Sequence, residues 1–266
     1  MTTATPGIDN YLNGIQQIQT KIVETQREEL AAVSQAMADT IQRGERIFLF
    51  GTGHSGLVLE EAFTRAGGIA AAVPMFSSVL MLHENTDYAM RLERTSGMAQ
   101  PLLMQYKPQA GEMLFVISNS GVNQMPVEMA LEAKKLGLTV VTICAHTYAA
   151  MAPLSTIGKR LYELGDFNLD NGGIPGDALV SLPDRPWRVA PSSSVVVIFL
   201  WNSLITEASY RLIEMGEEPP VLISGNYIKT VEGASEHNRT MIARWGAGNP
   251  HLPLLYQQPP LDNSGA

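Results

Sequence analysis

Hydroxyl and amide side chains follow a predicted strand or a loop at three places in this sequence. They lie in Gly51-Thr-Gly-His-Ser-Gly56, in Ser118-Asn-Ser-Gly-Val-Asn123 and in Pro191-Ser-Ser-Ser194. Each stretch precedes a segment with helical character. Such side chains, together with the free backbone N–H groups at the start of a helix, are suited to hold phosphate oxygens. The three turns therefore predict a site for an anionic ligand.

Helix capping is the alternative explanation, because serine and asparagine are favoured at helix N-termini without any ligand. The first turn lacks the G-x-G-x-x-G and P-loop spacings, so capping by Ser55 and ligand binding explain it equally well. The second turn has more hydrogen-bonding side chains than one cap needs, which favours binding, and the third is a weak signal alone. The candidate binding residues are Gly53, Ser55, Ser118, Asn119, Ser120, Asn123, Ser192, Ser193 and Ser194.

Two carboxylates follow the first turn on the predicted helix 57–66. If the apolar side chains face the core, Glu60 lies at the margin of that face and Glu61 lies opposite, four residues before Arg65. One of them could act as the base in a proton transfer. Alternatively, Glu61 and Arg65 form a surface or interface ion pair, which helical spacing favours.

The histidines are the other candidate acids and bases. His54 lies inside the first turn, where it would face a ligand, or it is simply a polar residue at the exposed end of a strand. His237 fits a surface helix cap. His83 and His146 are open, and His251 is assigned no role. A divalent ion could be held by His83, Glu84 and Asp87 or by His54 with Glu60. Since no H-E-x-x-H or paired His/Cys pattern is present, we expect no metal and no other cofactor.

Short apolar strands alternate with helical segments over most of the chain. Strands are predicted at 46–50, 73–76, 113–117 and 139–144 and within 161–169, after one long helix over 10–43. This alternation indicates an α/β protein with a mainly parallel sheet covered on both faces. Ligands of such sheets bind beyond the carboxyl ends of the strands, where the three turns are expected.

Composition excludes several classes of protein. The 266 residues include 18 Lys and Arg against 26 Asp and Glu, without a basic block, which argues against nucleic-acid binding. The single Cys144 excludes an internal disulfide and a cysteine metal cluster, and fits a cytoplasmic protein. The N-terminus lacks the pattern of a signal peptide. The apolar run 195–201 is shorter than a membrane-spanning helix, so no membrane association is expected.

Together these motifs resemble the SIS (sugar isomerase) domain family of phosphosugar-binding proteins. The matching stretches are GTGHSG at 51–56, SNSGVN at 118–123 and PSSS at 191–194. The sequence resembles most a group of bacterial SIS proteins related to phosphoheptose isomerases. The additional shared stretches are Glu-Glu and Arg-Ala-Gly-Gly after the first turn, D-N-G-x-x-P-G-D at 170–177 and E-H-N-R at 236–239. The resemblance covers roughly residues 10–245.

The resemblance implies a fold and an assembly. The fold is a flavodoxin-like three-layer α/β/α sandwich with about five parallel strands. It divides the chain into an N-terminal helix (1–45) on the core or on a dimer partner, a SIS domain (46–245) and an irregular tail (246–266). A homodimer or a dimer of dimers is expected, with sites near the subunit interface. The phosphate- and sugar-contacting positions of the family correspond to Ser55, Ser118, Ser120 and Asn123.

The function implied is that of a cytoplasmic protein that binds a phosphorylated sugar and interconverts its aldose and ketose forms. Glu60 or Glu61 would be the base, and His54 or His237 would open the sugar ring. A non-catalytic phosphosugar sensor and an etherase- or lyase-type enzyme are the alternatives. Arg65 stands where the phosphoheptose isomerase and etherase branches carry their catalytic glutamate, so their mechanism does not transfer directly, and the etherase alternative is weakened.

Overall fold

A five-stranded parallel sheet forms the centre of the computed structural model, which describes residues 5–225, 230–246 and 249–251. The strand order is β2-β1-β3-β4-β5, and all neighbours are parallel. The direction of winding reverses between β1 and β3, which opens a crevice at their carboxyl ends. The strands are β1 (Ile47–Gly51), β2 (Ala72–Pro74), β3 (Met113–Ile117), β4 (Thr139–Cys144) and β5 (Phe167–Asp170).

Helices cover both faces of this sheet, because its central strands are apolar on both sides and fully buried. One layer contains α1 (Pro6–Thr25), α2 (Arg27–Gln42), α3 (Leu57–Ala62) and α8 (Ser193–Glu214). The other contains α4 (Thr86–Leu92), α5 (Ala99–Gln105), α6 (Gln124–Lys135) and α7 (His146–Met151). The predicted three-layer sandwich is confirmed.

The predicted N-terminal helix is divided in two at Gln26, so the expectation of one helix over 10–43 is wrong. The Gln26 side chain donates to the carbonyl oxygen of Asp170 at 2.8 Å and accepts from its backbone N–H at 2.8 Å. Glu29 accepts the N–H of Asn168 at 2.9 Å. These side chains satisfy the free edge of β5. The break therefore depends on a distant strand and not on the local pattern.

Other differences concern short or exposed elements. Helix α3 ends at Ala62 and not at residue 66, since Phe63 is extended and Thr64 has φ +39°. Residues 77–95, which have no clear pattern, contain a 3₁₀ turn (Ser78–Leu80) and α4. The sequence did not indicate the antiparallel hairpin β6 (Ala178–Ser181) and β7 (Arg188–Pro191), nor α9 (Ala234–Trp245). Strand β7 is largely exposed, whereas β6 is half-buried, with Val180 in the core.

Helix α8 supplies much of the core. Among the described helices, it is the one long and apolar enough to cross a membrane by length and composition. It packs instead against the sheet, where the Trp201 ring meets Phe115 edge-on with 5.6 Å between centroids. Leu200 and Leu204 are also buried. Core packing therefore accounts for its apolar sequence, and its N-terminus is held at the carboxyl edge of the sheet.

Candidate functional site

A small cleft lies at the crevice between the carboxyl ends of β1 and β3. It joins the three predicted turns, and it also includes a residue that follows β5. Polar groups on one side thus meet two apolar side chains of α3 and α8. Its lining residues are His54, Ser55, Val58, Asn119, Asn171, Ser193, Ser194 and Val197.

The first turn is a 3₁₀ helix, Gly53–Gly56, between β1 and α3. A Cβ on Gly51 would lie 2.5 Å from the carbonyl oxygen of Ser55, so only glycine lets the chain fold back this closely. Gly53 adopts φ +55°, which also favours glycine. Neither this turn nor α3 has a side-chain cap, so the capping hypothesis for Ser55 is wrong. Ser55 instead lines the cleft.

The second turn, residues 118–123, which we call the α6 start, divides its polar groups between folding and solvent. Ser118 is buried, and its Oγ accepts the N–H of Gly121 at 3.3 Å, so it closes the turn. Within the described part of the chain, Ser120 and Asn123 make no side-chain hydrogen bond, and Asn123 does not cap α6. Asn119 lines the cleft. Three polar side chains of the α6 start therefore have donors or acceptors left for a ligand.

The third turn, residues 191–194, which we call the α8 start, is already occupied by a carboxylate of this chain. Asp177 Oδ1 accepts the N–H groups of Ser192 and Ser193 at 3.1 and 2.9 Å. The Ser192 hydroxyl donates to the same oxygen at 3.2 Å, and the Ser193 hydroxyl donates to Oδ2 at 2.6 Å. Ser194 is the member of this turn whose hydroxyl remains available to the cleft.

Sequence reasoning missed two residues of this region, Asn171 and Asp177. Asn171 is 1% exposed, and its Nδ2 donates to Asn119 Oδ1 at 3.0 Å. Both residues belong to the D-N-G-x-x-P-G-D stretch at 170–177. That stretch supported the family resemblance, but no role was assigned to it. It was the available signal, since a run of Asn, Gly and Asp after a strand is typical of a loop at the ligand-binding edge.

The predicted carboxylates lie outside the cleft wall. Glu61 forms an ion pair with Arg65 and accepts a hydrogen bond from Asn202 Nδ2 at 2.9 Å. This is the structural alternative that the sequence had left open, and it ties α3 to α8. Glu60 is exposed. The structure does not bring either glutamate together with the three turns.

His54 is the predicted catalytic residue that does line the cleft. His237 lies at the start of α9, where its Nε2 is 2.8 Å from the carbonyl oxygen of Val221. It therefore holds α9 against a neighbouring segment. The His251 ring packs on Phe76, with 5.1 Å between centroids, and its Nε2 lies 2.6 Å from Tyr106 Oη.

The residues that line the cleft are apolar or neutral polar ones, together with His54. Among the described residues that line it, none is Lys, Arg, Asp or Glu. Behind the α6 start, burial raises the pKa of the Cys144 thiol to about 12, and the negative charge of Asp170 adds to this increase. Cys144 is therefore a neutral core side chain. Burial also lowers the pKa of His146. No group of three or more His, Cys, Asp or Glu in the described ranges is arranged to hold a metal ion.

Comparisons with known proteins agree with this geometry. The profile of the SIS domain family matches residues 10–145. A UPF0309 protein of Halalkalibacterium halodurans is 36% identical over 249 residues, covering 93% of this chain and 97% of that protein. A UPF0309 protein of Geobacillus thermodenitrificans is 34% identical over 251 residues, covering 94% and 98%.

A solved structure supports the same fold. The phosphoheptose isomerase of Francisella tularensis superposes with a TM-score of 0.51 and 14% identity, covering 79% of this chain and 100% of that one. Its strands and this chain's parallel sheet share an architecture, although few residues are identical. Taken with the family match and the two relatives, the fold and motifs show that this chain belongs to the SIS domain family.

Proposed function

We propose that the protein binds a phosphorylated sugar in the cleft between the α6 start and the α8 start. One observation carries this proposal: the side chains of Ser55, Ser120, Asn123 and Ser194 make no hydrogen bond within the described part of the chain. Ser55 and Ser194 line the cleft, and Ser120 and Asn123 belong to the turn that follows β3 at the same edge of the sheet, where ligands of such sheets bind. Their hydroxyl and amide groups match the many oxygens of a phosphosugar.

Family membership supports the same ligand class. The solved structure of similar fold is a phosphoheptose isomerase, whose substrate is a phosphorylated sugar. The absence of Lys and Arg from the described cleft wall implies that phosphate is held by neutral donors and backbone N–H groups. Such a site recognises the shape and hydrogen-bonding pattern of the phosphate more than its charge.

Aldose–ketose isomerisation is the reaction we propose for the bound sugar. His54 is the described titratable group in the cleft wall, so it is the candidate for moving a proton between C1 and C2 or for opening the ring. Glu60, Glu61 and His237 remain predictions as catalytic residues, although they lie outside this wall. That placement favours one second candidate, a phosphosugar sensor that binds without turnover.

A thermal-shift screen tests the binding proposal. Glucose 6-phosphate, fructose 6-phosphate and arabinose 5-phosphate would each be compared with the unphosphorylated sugar. A ligand at about 100 times its dissociation constant stabilises the native state by roughly 2.7 kcal/mol. We expect at least one phosphosugar to raise the midpoint of unfolding while its parent sugar does not. Equal shifts from both members of every pair would reject a phosphate site.

Deuterium exchange separates isomerase from sensor. A bound aldose phosphate that is isomerised through an enediolate exchanges its C2 proton with solvent, which NMR detects. We expect exchange by the wild-type protein and its loss in His54→Gln, with binding retained. His83→Gln, a change at another exposed histidine, is the matched control. Binding without any exchange by the wild-type protein would establish the sensor.

We also propose a cytoplasmic homodimer, or a dimer of such dimers. Several large apolar side chains of α1 and α8 are exposed: Ile8, Leu12, Tyr210 and Ile213. Closed two-fold assemblies are the commonest way to cover such faces. Sedimentation should give at least a dimer at micromolar concentration, and a monomer there would reject the proposal.

A further inference from the structure

A pair of asparagines between the α6 start and the segment after β5 has a fixed hydrogen-bonding direction. The argument begins at Gly173, whose backbone N–H points at Asn171 Oδ1 at 2.9 Å. A backbone N–H only donates, so the atom that receives it must be the amide oxygen. Asn171 is 1% exposed, so solvent does not compensate for the opposite orientation. Its NH₂ group is therefore directed away from Gly173.

The same constraint passes to the next amide. Asn171 Nδ2 donates to Asn119 Oδ1 at 3.0 Å, which requires the oxygen of Asn119 to face Asn171. The NH₂ group of Asn119 is then on the other side, where Asn119 lines the cleft. No hydrogen bond to this NH₂ group occurs within the described ranges. The Asn119 NH₂ group is thus directed toward the cleft as a hydrogen-bond donor. Its direction is set through two successive hydrogen bonds, from Gly173 to Asn171 and from Asn171 to Asn119.

The backbone around the pair is also held in place. Asn119 O accepts the N–H of Ala145 at 3.0 Å, and Asn171 N donates to Cys144 O at 3.0 Å. Both asparagines are thereby fixed to the end of β4. A Cβ on Gly173 would lie 2.9 Å from Asn171 Oδ1 and 3.0 Å from Asn119 Oδ1. Only glycine at this position lets both amide oxygens come so close to the backbone.

We infer that Asn171 is a positioning residue that orients Asn119 as a hydrogen-bond donor to an acceptor oxygen of the bound ligand. This inference rests on the proposed function for the existence of that ligand. The donor suits a phosphate oxygen, a sugar carbonyl or the enediolate oxygen that replaces it, and disfavours a ligand hydroxyl that must donate. Asn171 itself acts through Asn119 and through the Gly173 N–H.

Asn171→Asp reverses the direction of the pair with almost no change in size. The new carboxylate still accepts the Gly173 N–H, but it offers no donor to Asn119. The Asn119 amide then turns its NH₂ group toward the carboxylate and its oxygen toward the cleft. The matched control is Asn168→Asp, which adds the same charge on neighbouring β5, where the Asn168 side chain pairs with Thr142 and Gly165.

Side-chain amide NMR and calorimetry with two probes test the inference together. In the wild-type protein we expect slow hydrogen exchange for Asn171 and fast exchange for Asn119, and in Asn171→Asp slow exchange for Asn119. We expect affinity for fructose 6-phosphate to fall about tenfold or more in Asn171→Asp, as loss of one good hydrogen bond implies, and to change less than threefold in Asn168→Asp. If affinity for inorganic phosphate falls by a similar factor, Asn119 contacts the phosphate group. If affinity for inorganic phosphate is unchanged, Asn119 contacts a sugar oxygen.

Two results would overturn the inference while leaving the proposed function intact. One is fast exchange of Asn119 in Asn171→Asp despite weaker binding, since the loss would then come from charge alone. The other is unchanged affinity in a folded Asn171→Asp protein. Failure of the wild-type protein to bind inorganic phosphate and every phosphosugar of the thermal-shift screen would instead reject the proposed function, and with it the role of Asn119 toward a ligand. Exchange rates in the free protein would still show whether Asn171 sets the direction of the amide.

Discussion

The α6 start and the α8 start are alike in sequence and different in state. Both place serines where a strand ends and a helix begins. At the α8 start, Asp177 accepts four hydrogen bonds from Ser192 and Ser193. At the α6 start, the side chains of Ser120 and Asn123 make none within the described residues. The donors of the α8 start therefore have an acceptor within the chain, whereas the α6 start leaves donors for another molecule.

The difference follows from what the preceding segment brings near each helix. Residues Ala178 and Pro191 are paired across the β6–β7 hairpin, which places Asp177 beside the next residue, Ser192. A carboxylate at a helix N-terminus is stabilised by the unpaired N–H groups there. Among the described residues, no acidic side chain forms a hydrogen bond with Ser120. Serine before a helix thus indicates donors that need an acceptor, and the tertiary structure decides whether that acceptor is internal.

The largest effect is expected from removing the internal acceptor. Asp177→Ala leaves two N–H groups and two hydroxyls at the α8 start without their partner, and should lower the free energy of unfolding by about 2 kcal/mol. Urea unfolding measures this. Asp184→Ala is the matched control, because both aspartates adopt positive φ, +64° and +53°, and Asp184 is exposed. If both variants lower the free energy of unfolding equally, the Asp177 contacts do not stabilise the α8 start.

A second prediction concerns the core behind the α6 start. Cys144 packs close to Gly121, and its pKa is raised from 9.0 to about 12. Above pH 9 the unfolded chain loses this proton while the folded protein keeps it, so stability falls as pH rises. Between pH 8 and pH 10 we expect the wild-type protein to lose about 1 kcal/mol more than Cys144→Ala, measured by urea unfolding. Equal pH dependence in the two proteins would mean that the thiol is not desolvated.

Replacing a serine of each helix start by alanine contrasts their contributions to stability most directly. Ser193→Ala removes the hydroxyl that donates to Asp177 at 2.6 Å and should cost about 1 kcal/mol of unfolding free energy. Ser120→Ala removes a hydroxyl with no partner in the described chain, and its effect should stay within about 0.5 kcal/mol. A large loss in Ser120→Ala would show that the α6 start is also completed internally.

The smallest effect is expected at the carboxylate near the first turn. Glu61→Gln weakens an ion pair with the half-exposed Arg65, which is worth about 0.5 kcal/mol after solvent screening. Its amide can still accept from Asn202. Calorimetry should find phosphosugar affinity unchanged. Abolished proton exchange in Glu61→Gln, with binding kept, would restore Glu61 as the catalytic base.

The sequence predicted the elements whose signals are local. Buried runs such as Met113–Ile117 and the Gly-rich turn after β1 indicated a parallel sheet with polar turns at one edge. It did not predict the break at Gln26, since that depends on the backbone of Asp170. The sequence also provided no reason to distinguish Ser193 from Ser194. They differ because the pairing of β6 with β7 places Asp177 where it accepts a hydrogen bond from Ser193. Contacts between residues far apart in the chain were the information that was missing.

The most direct test of the phosphosugar site is calorimetry of wild-type, Ser120→Ala and Ser193→Ala proteins with the phosphosugar that gives the largest thermal shift. If the α6 start holds the ligand, Ser120→Ala binds about fivefold to tenfold more weakly, as loss of one hydrogen bond implies. Ser193→Ala, whose hydroxyl is engaged with Asp177, stays within about twofold of the wild-type protein. Unchanged affinity in Ser120→Ala together with a large loss in Ser193→Ala would contradict the account and place the ligand at the α8 start.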